Sequence, residues 1–162
     1  MTRIIATFFG AGLLKPAPGT WGSLAALPAA YGVLVLGGWQ LLALATIAVF
    51  FIGWWATARE TAGKDDHDPS EIVIDEVAGQ WIALMPVAYG AAMMGADLMA
   101  LYPGWIAAFL GFRLFDIWKP FPVSWADAKH TPWGVMLDDV FAGVMAALLV
   151  ILLAAVAHLW LM

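Results

Sequence analysis

Long apolar stretches separated by short charged segments constrain this chain more than any other feature. All seven basic residues, Arg3, Lys15, Arg59, Lys64, Arg113, Lys119 and Lys129, fall in or beside those segments. Asp75, Glu76, Asp116, Asp138 and Asp139 stand at or just inside the ends of the apolar stretches. A helix of about 20 apolar residues spans a bilayer, and an ionised group inside such a helix is costly unless it binds something. With 64% hydrophobic residues, 12% charged residues and a mean hydropathy of +0.87, the chain lies outside the range of soluble domains.

The expected fold is all-α, an integral membrane helical bundle of about five spanning helices plus a short N-terminal helix over residues 2–9. No Ser-, Gly- or charge-rich linker divides the chain, so residues 1–162 are read as one domain. Residues 10–23 read as a Gly/Pro loop, with Ser23 as the N-cap of a first span over residues 24–36 that ends at Gly37 and Gly38. Further spans are expected over residues 39–58, 72–89 and 98–115, the last with a shorter alternative starting near Pro103, and over residues 140–161. Five crossings from Ser23 return the loops 10–22, 59–71 and 113–139 to one face. Every Lys and Arg is then on that face, which the positive-inside rule assigns to the cytoplasm; Asp97 and His158 are left on the other. The N-terminus reads as retained, because no cleavable leader pattern precedes the first loop.

Cysteine is absent, which removes disulfides, thiolate metal sites and thiolate nucleophiles. A net charge of -5 argues against a nucleic acid partner. No protein partner is identifiable.

Two segments share a pattern, Asp75-Glu-Val-Ala-Gly79 and Asp139-Val-Phe-Ala-Gly143. Residues i and i+4 share a helix face, so each Asp lies over a Gly that admits a second backbone at close range. The two carboxylates can then face each other. Asp75, Glu76, Asp138 and Asp139 gathered at the base of a bundle would repel strongly, and a cation relieves that repulsion. Oxygen-only ligands favour a hard ion such as Mg²⁺ over zinc. The plain alternative is pairing of these acids with Arg113, Lys119 and Lys129 at helix ends.

Arg113, Asp116 and Lys119 recur every three residues, on one helix edge that Pro120 and Pro122 terminate. An acid flanked by two cations suits a metal-bound phosphate; snorkelling with a local salt bridge is the structural alternative. The segment 18–23, PGTWGS, reads as an anion cradle in which Gly19 frees the backbone and Thr20 and Ser23 add hydroxyls ahead of a helix, or as ordinary capping. His67 and His130 lie in polar loops and are candidates for proton relay, His158 is expected at the far interface, and Trp118, Trp125 and Trp133 are candidates for lipid contact.

With these residues in view, the chain resembles the phosphatidylglycerophosphatase A family of bacterial membrane lipid phosphatases. The resemblance covers nearly the whole chain and rests on four motifs in order: APGTWGS (17–23), IVIDEVAGQW (72–81), FRLFDIWKPFPVSWAD (112–127) and GVMLDDVFAG (134–143). It implies a magnesium-dependent hydrolase of the bacterial inner membrane. The phospholipid substrate would be phosphatidylglycerophosphate, whose terminal phosphate monoester is cleaved on the cytoplasmic face to give phosphatidylglycerol and inorganic phosphate. The chain departs from the family at KHTPW (129–133), shorter than the Gly-rich stretch expected there, so no role is carried over to Lys129 or His130. On this reading Asp75, Glu76, Asp138 and Asp139 hold Mg²⁺, Asp116 ligates or orients it, and Arg113, Lys119, Gly19, Thr20 and Ser23 bind phosphate. Attack by water and an aspartyl-phosphate intermediate both remain open. Two rivals from other classes are a small ion-coupled transporter, which would place its carboxylates at mid-membrane, and a non-catalytic assembly factor.

Overall fold

Two consecutive glycines set the layout of the bundle. In the computed structural model, which describes residues 1–64 and 66–161, helix α2 (Pro18–Glu60) is broken at Gly37 (φ -157, ψ 20) and Gly38 (φ 66, ψ -166). The Gly38 conformation is essentially restricted to glycine, and it reverses the chain. Gly22 of the first arm lies against Val73, Gly53 of the second lies against Ile74, and Trp39 next to the break stacks edge-on with Tyr89. Both arms therefore meet the N-terminal end of helix α3 (Ile74–Met94), and the break lies near its C-terminal end.

The first arm begins earlier than the sequence suggests. Residues 18–23 are helical rather than a loop, and Ser23 is no N-cap: its hydroxyl donates to the Gly19 carbonyl at 2.8 Å from inside the helix. Pro18 at the first helical position explains the early start, because its missing N–H has no helical partner to lose there. The N-terminal helix is likewise shorter than expected. Helix α1 is Thr2–Ala6, followed by a 3-10 turn at Ala11–Leu13, and the Val73 N–H donates to the Ala6 carbonyl at 2.8 Å.

Helix α3 is the central element. Val77, Ala78, Ala83 and Leu84 are fully buried in it, and it packs against both arms of α2, against α4 and against α6. It runs to Met94, beyond the expected end at residue 89, and stops where Gly95 turns left-handed (φ 61). The N–H groups of Gly95 and Ala96 then close on the Ala92 and Ala91 carbonyls, the bond pattern of a Schellman cap.

Helix α4 (Tyr102–Trp118) matches the shorter of the two expected forms, with Pro103 in its first turn. A five-residue helix, α5 (Val123–Asp127), lies in the segment expected to be a charged loop. Helix α6 (Pro132–Leu161) starts well before residue 140, because the Thr131 hydroxyl accepts a hydrogen bond from the Gly134 N–H at 3.1 Å and caps it. Asp138 and Asp139 consequently sit inside α6 rather than ahead of it.

Among the described residues there are no strands. Among the same residues three helices are long and apolar enough to cross a membrane: Pro18–Glu60, Ile74–Met94 and Pro132–Trp160. Their outer surfaces carry exposed Val35, Leu36, Leu44, Leu148 and Ile151, an apolar belt larger than a water-soluble monomer tolerates.

Candidate active site

The site forms where the start of α3 meets the second and third turns of α6. Those helices touch through glycine: a Cβ on Gly143 would lie 2.4 Å from the Gly79 carbonyl oxygen, and one on Gly79 would lie 2.6 Å from the Asp139 carbonyl oxygen. The expected close approach beneath the two Asp residues is thus present. It brings oxygens of Asp75, Glu76 and Asp139 within 4.8 Å of one another. Asp75 and Asp139 are 6% and 2% exposed, so water screens their charges poorly, and the cluster can hold a metal ion. The donor set fits a hard cation. In addition Glu76 Oε2 is buried with no protein hydrogen-bond partner, as expected of an oxygen reserved for a ligand.

Arg113 reaches the cluster from α4. Its guanidinium pairs with Asp116 at 2.6 Å and with Glu76 at 3.9 Å, and it donates to the Ser23 hydroxyl at 3.4 Å. Asp116 therefore holds Arg113, one helical turn away, in place. Lys119 leaves the edge expected from its spacing. It follows the last residue of α4 in the left-handed region (φ 48, ψ 53), and its ammonium pairs with Asp127 of α5 and, at 3.0 Å, with Asp138. Burial works against a charged Lys119, but these two carboxylates outweigh it and raise its pKa above the ordinary lysine value. Lys119 stays an ammonium at any physiological pH.

These groups line a cleft of about 270 Å³. Of the residues expected from sequence, Gly19, Thr20, Asp75, Glu76, Arg113, Asp116, Lys119, Asp138 and Asp139 all line it. Ser23 is fully buried and contributes through Arg113. Asp68 and Ser70 also line the cleft and escaped the sequence reading, since an acid and a serine in a polar loop look like solvated surface. Asp127 was missed for the same reason, although it stands at the end of the third motif.

His67 and His130 lie elsewhere, on a neighbouring cleft of about 300 Å³ that shares Asp68 with the first. Trp133 packs edge-on against Phe50 and Trp54, and Trp125 lies under the Lys129 ammonium, 3.8 Å from its ring centre. Trp118 is 70% exposed beside Lys119, a position suited to lipid contact.

Gly19 shows how tightly the site is built. A Cβ there would lie 2.3 Å from Glu76 Oε1 and 3.2 Å from the Arg113 guanidinium. Because Glu76 can swing whereas a backbone cannot, Gly19→Ala is expected to fold normally yet lose about 10- to 100-fold in divalent-cation affinity, the scale for disturbing a ligand's support. Titration of the purified variant with Mn²⁺ checks this, and wild-type affinity would refute it.

The sequence profile of the family described as Phosphatidylglycerophosphatase A matches residues 4–154. The chain belongs to the phosphatidylglycerophosphatase A family. It is 39% identical over 150 residues to the Phosphatidylglycerophosphatase A of Haemophilus influenzae, covering 91% of this chain and 85% of that one. It is 39% identical over 147 residues to that of Escherichia coli, covering 90% and 78%. A relative from Bacteroides thetaiotaomicron, 38% identical over 151 residues and covering 91% and 89%, carries the provisional name phosphatidylinositol-3-phosphatase. No solved structure matches the chain. The family match spans every residue of the cleft, from Ala17 to Asp139.

Proposed function

We propose that this chain is a Mg²⁺-dependent lipid phosphatase that hydrolyses the terminal phosphate monoester of phosphatidylglycerophosphate to phosphatidylglycerol and inorganic phosphate. The observation that carries the reading is the buried Asp75, Glu76 and Asp139 cluster beside Arg113, in a chain of the phosphatidylglycerophosphatase A family. Asp75, Glu76 and Asp139 hold the cation. Mg²⁺, when bound, supplies Lewis acidity toward a phosphate oxygen. Arg113, steadied by Asp116 and Ser23, faces the remaining phosphate charge with a planar fork of donors suited to it. Gly19 and Thr20 line the cleft in the first turn of α2, where a helix N-terminus favours an anion.

The substrate's chemistry agrees with this placement. Its acyl chains stay in the bilayer while its phosphate sits at the interface, so a cleft at the end of a bundle needs no deep channel. Five crossings of a bacterial inner membrane, counting the two arms of α2 separately and including α4, would set the cleft on the cytoplasmic face, where the positive-inside rule places the basic loops. A transporter would need its carboxylates at mid-membrane, whereas Asp75 and Glu76 occupy the first turn of α3.

Phosphate release from phosphatidylglycerophosphate by the detergent-purified protein tests the proposal. Release is expected with Mg²⁺ and a fall of at least about 100-fold with EDTA, the scale of losing one electrostatic stabiliser. Inert metal-replete protein, or equal release in EDTA, would sink it. Phosphatidylinositol 3-phosphate in a parallel arm is expected to be the poorer substrate.

A further inference from the structure

Asp138 adjoins Asp139 in sequence but is engaged differently. Its Oδ1 accepts from the Asp139 N–H at 3.0 Å, and its Oδ2 accepts from the Lys119 ammonium at 3.0 Å. Lys119 is also bound by Asp127. A lysine in the left-handed region is uncommon, and such a conformation persists where its surroundings fix it. Here the fixed feature is an ammonium between carboxylates of α5 and α6, on the wall of the same cleft that holds Asp75, Glu76 and Asp139.

Phosphate-transferring centres with two metals set the ions about 3.5–4 Å apart, one toward each end of the reacting bond. A second divalent ion beside the first would need further ligands, and Asp138, on the wall of this cleft, and Asp127, on the neighbouring one, are the acids that meet at the Lys119 ammonium. Both are taken by Lys119, whose positive charge would also repel an incoming dication. Of the other acids that line the cleft, Asp116 is paired with Arg113 and Asp68 is exposed.

We propose that the Lys119 ammonium occupies the place of a second metal ion, so that the cleft binds a single divalent cation, at Asp75, Glu76 and Asp139, with Asp138 serving as the anchor of Lys119 rather than as a ligand. This rests on the cation site proposed above and extends it by assigning its stoichiometry. Lys119 is then a built-in cation that balances the second half of the acidic cluster without an exchangeable ion.

Counting bound Mn²⁺ by electron paramagnetic resonance on the purified full chain in detergent tests this without reference to turnover. One ion per chain is expected, and two would overturn the inference. No binding would instead defeat the underlying carboxylate site, so the two failures are distinguishable. Lys119→Met is expected to bind a second ion, and the double variant Lys119→Met/Asp138→Asn to return to one. A Lys119→Met protein that is folded and still binds a single ion would overturn the proposal. Should Lys119→Met fail to fold, Asp138→Asn alone decides: it is expected to keep the one ion, and loss of that ion would make Asp138 a ligand and end the proposal.

Discussion

Replacing Asp139 with Asn is expected to lower phosphate release by at least about 100-fold while leaving the protein no less stable than wild type in EDTA. Asp139 is nearly inaccessible to water and lies within 4.8 Å of two further carboxylates. At an effective dielectric of about 20, two unit charges at such a distance repel by on the order of 3 kcal/mol. The cation-free site is therefore strained by charge, and removing one charge relieves it without changing side-chain shape. On the proposed assignment the same change also removes a cation ligand. Wild type is expected to gain about 2.7 kcal/mol from a cation at 100 times its dissociation constant, and Asp139→Asn little of that. Thermal unfolding with Mg²⁺ and with EDTA, run beside the phosphate assay, measures both effects. A variant with full turnover, or one stabilised by Mg²⁺ as much as wild type, would show that Asp139 is not a ligand.

Gly143→Ala is expected to have the largest effect of any methyl addition at a helix crossing in this bundle. The new Cβ would stand 2.4 Å from the Gly79 oxygen and 3.1 Å from its carbonyl carbon and Cα. All three are backbone atoms, which no rotamer change can move aside. Restoring ordinary contact requires α3 and α6 to separate by on the order of 1 Å. Overpacking of this kind costs about 1–3 kcal/mol, and the rigid neighbours place this site at the upper end. Separation also pulls Asp75 away from Asp139, so stability and cation affinity fall together. Gly32→Ala is the control, since nothing lies within 4 Å of a Cβ there and Ala is the better helix former. Denaturant unfolding in detergent compares the two, and equal stability of both variants would remove the proposed contact.

Much of this site was readable in the sequence because it depends on spacing along helices. The Asp75–Gly79 and Asp139–Gly143 repeats announced a crossing with carboxylates above it, and that crossing exists. The Arg113–Asp116 pair follows from three-residue spacing. Where the reading failed, a local signal was outweighed or overlooked. Ser23 resembled an N-cap, but Pro18 had already started the helix, and Gly19 and Gly22 are tolerated inside it because Glu76 and Val73 press against them. Thr131 before Pro132 is a capping signal, obscured by the charged residues after it, and α6 therefore starts ahead of the apolar run. Lys119 has the spacing of a helix edge, but the helix ends one residue earlier and Asp127 and Asp138 redirect the side chain.

By itself the amino-acid order determined the membrane character, the reversal at Gly37 and Gly38, and the set of acids gathered near one end of the bundle, because each follows from apolar length, backbone permissiveness or helical period. Which acids meet was left to the tertiary structure. Asp138 and Asp139 are chemically identical neighbours, but successive helix residues point about 100° apart, so one faces α3 and the other faces Lys119. No local rule selects between them; that depends on how α6 is rotated against α3, which the packing of Gly79 on Gly143 fixes.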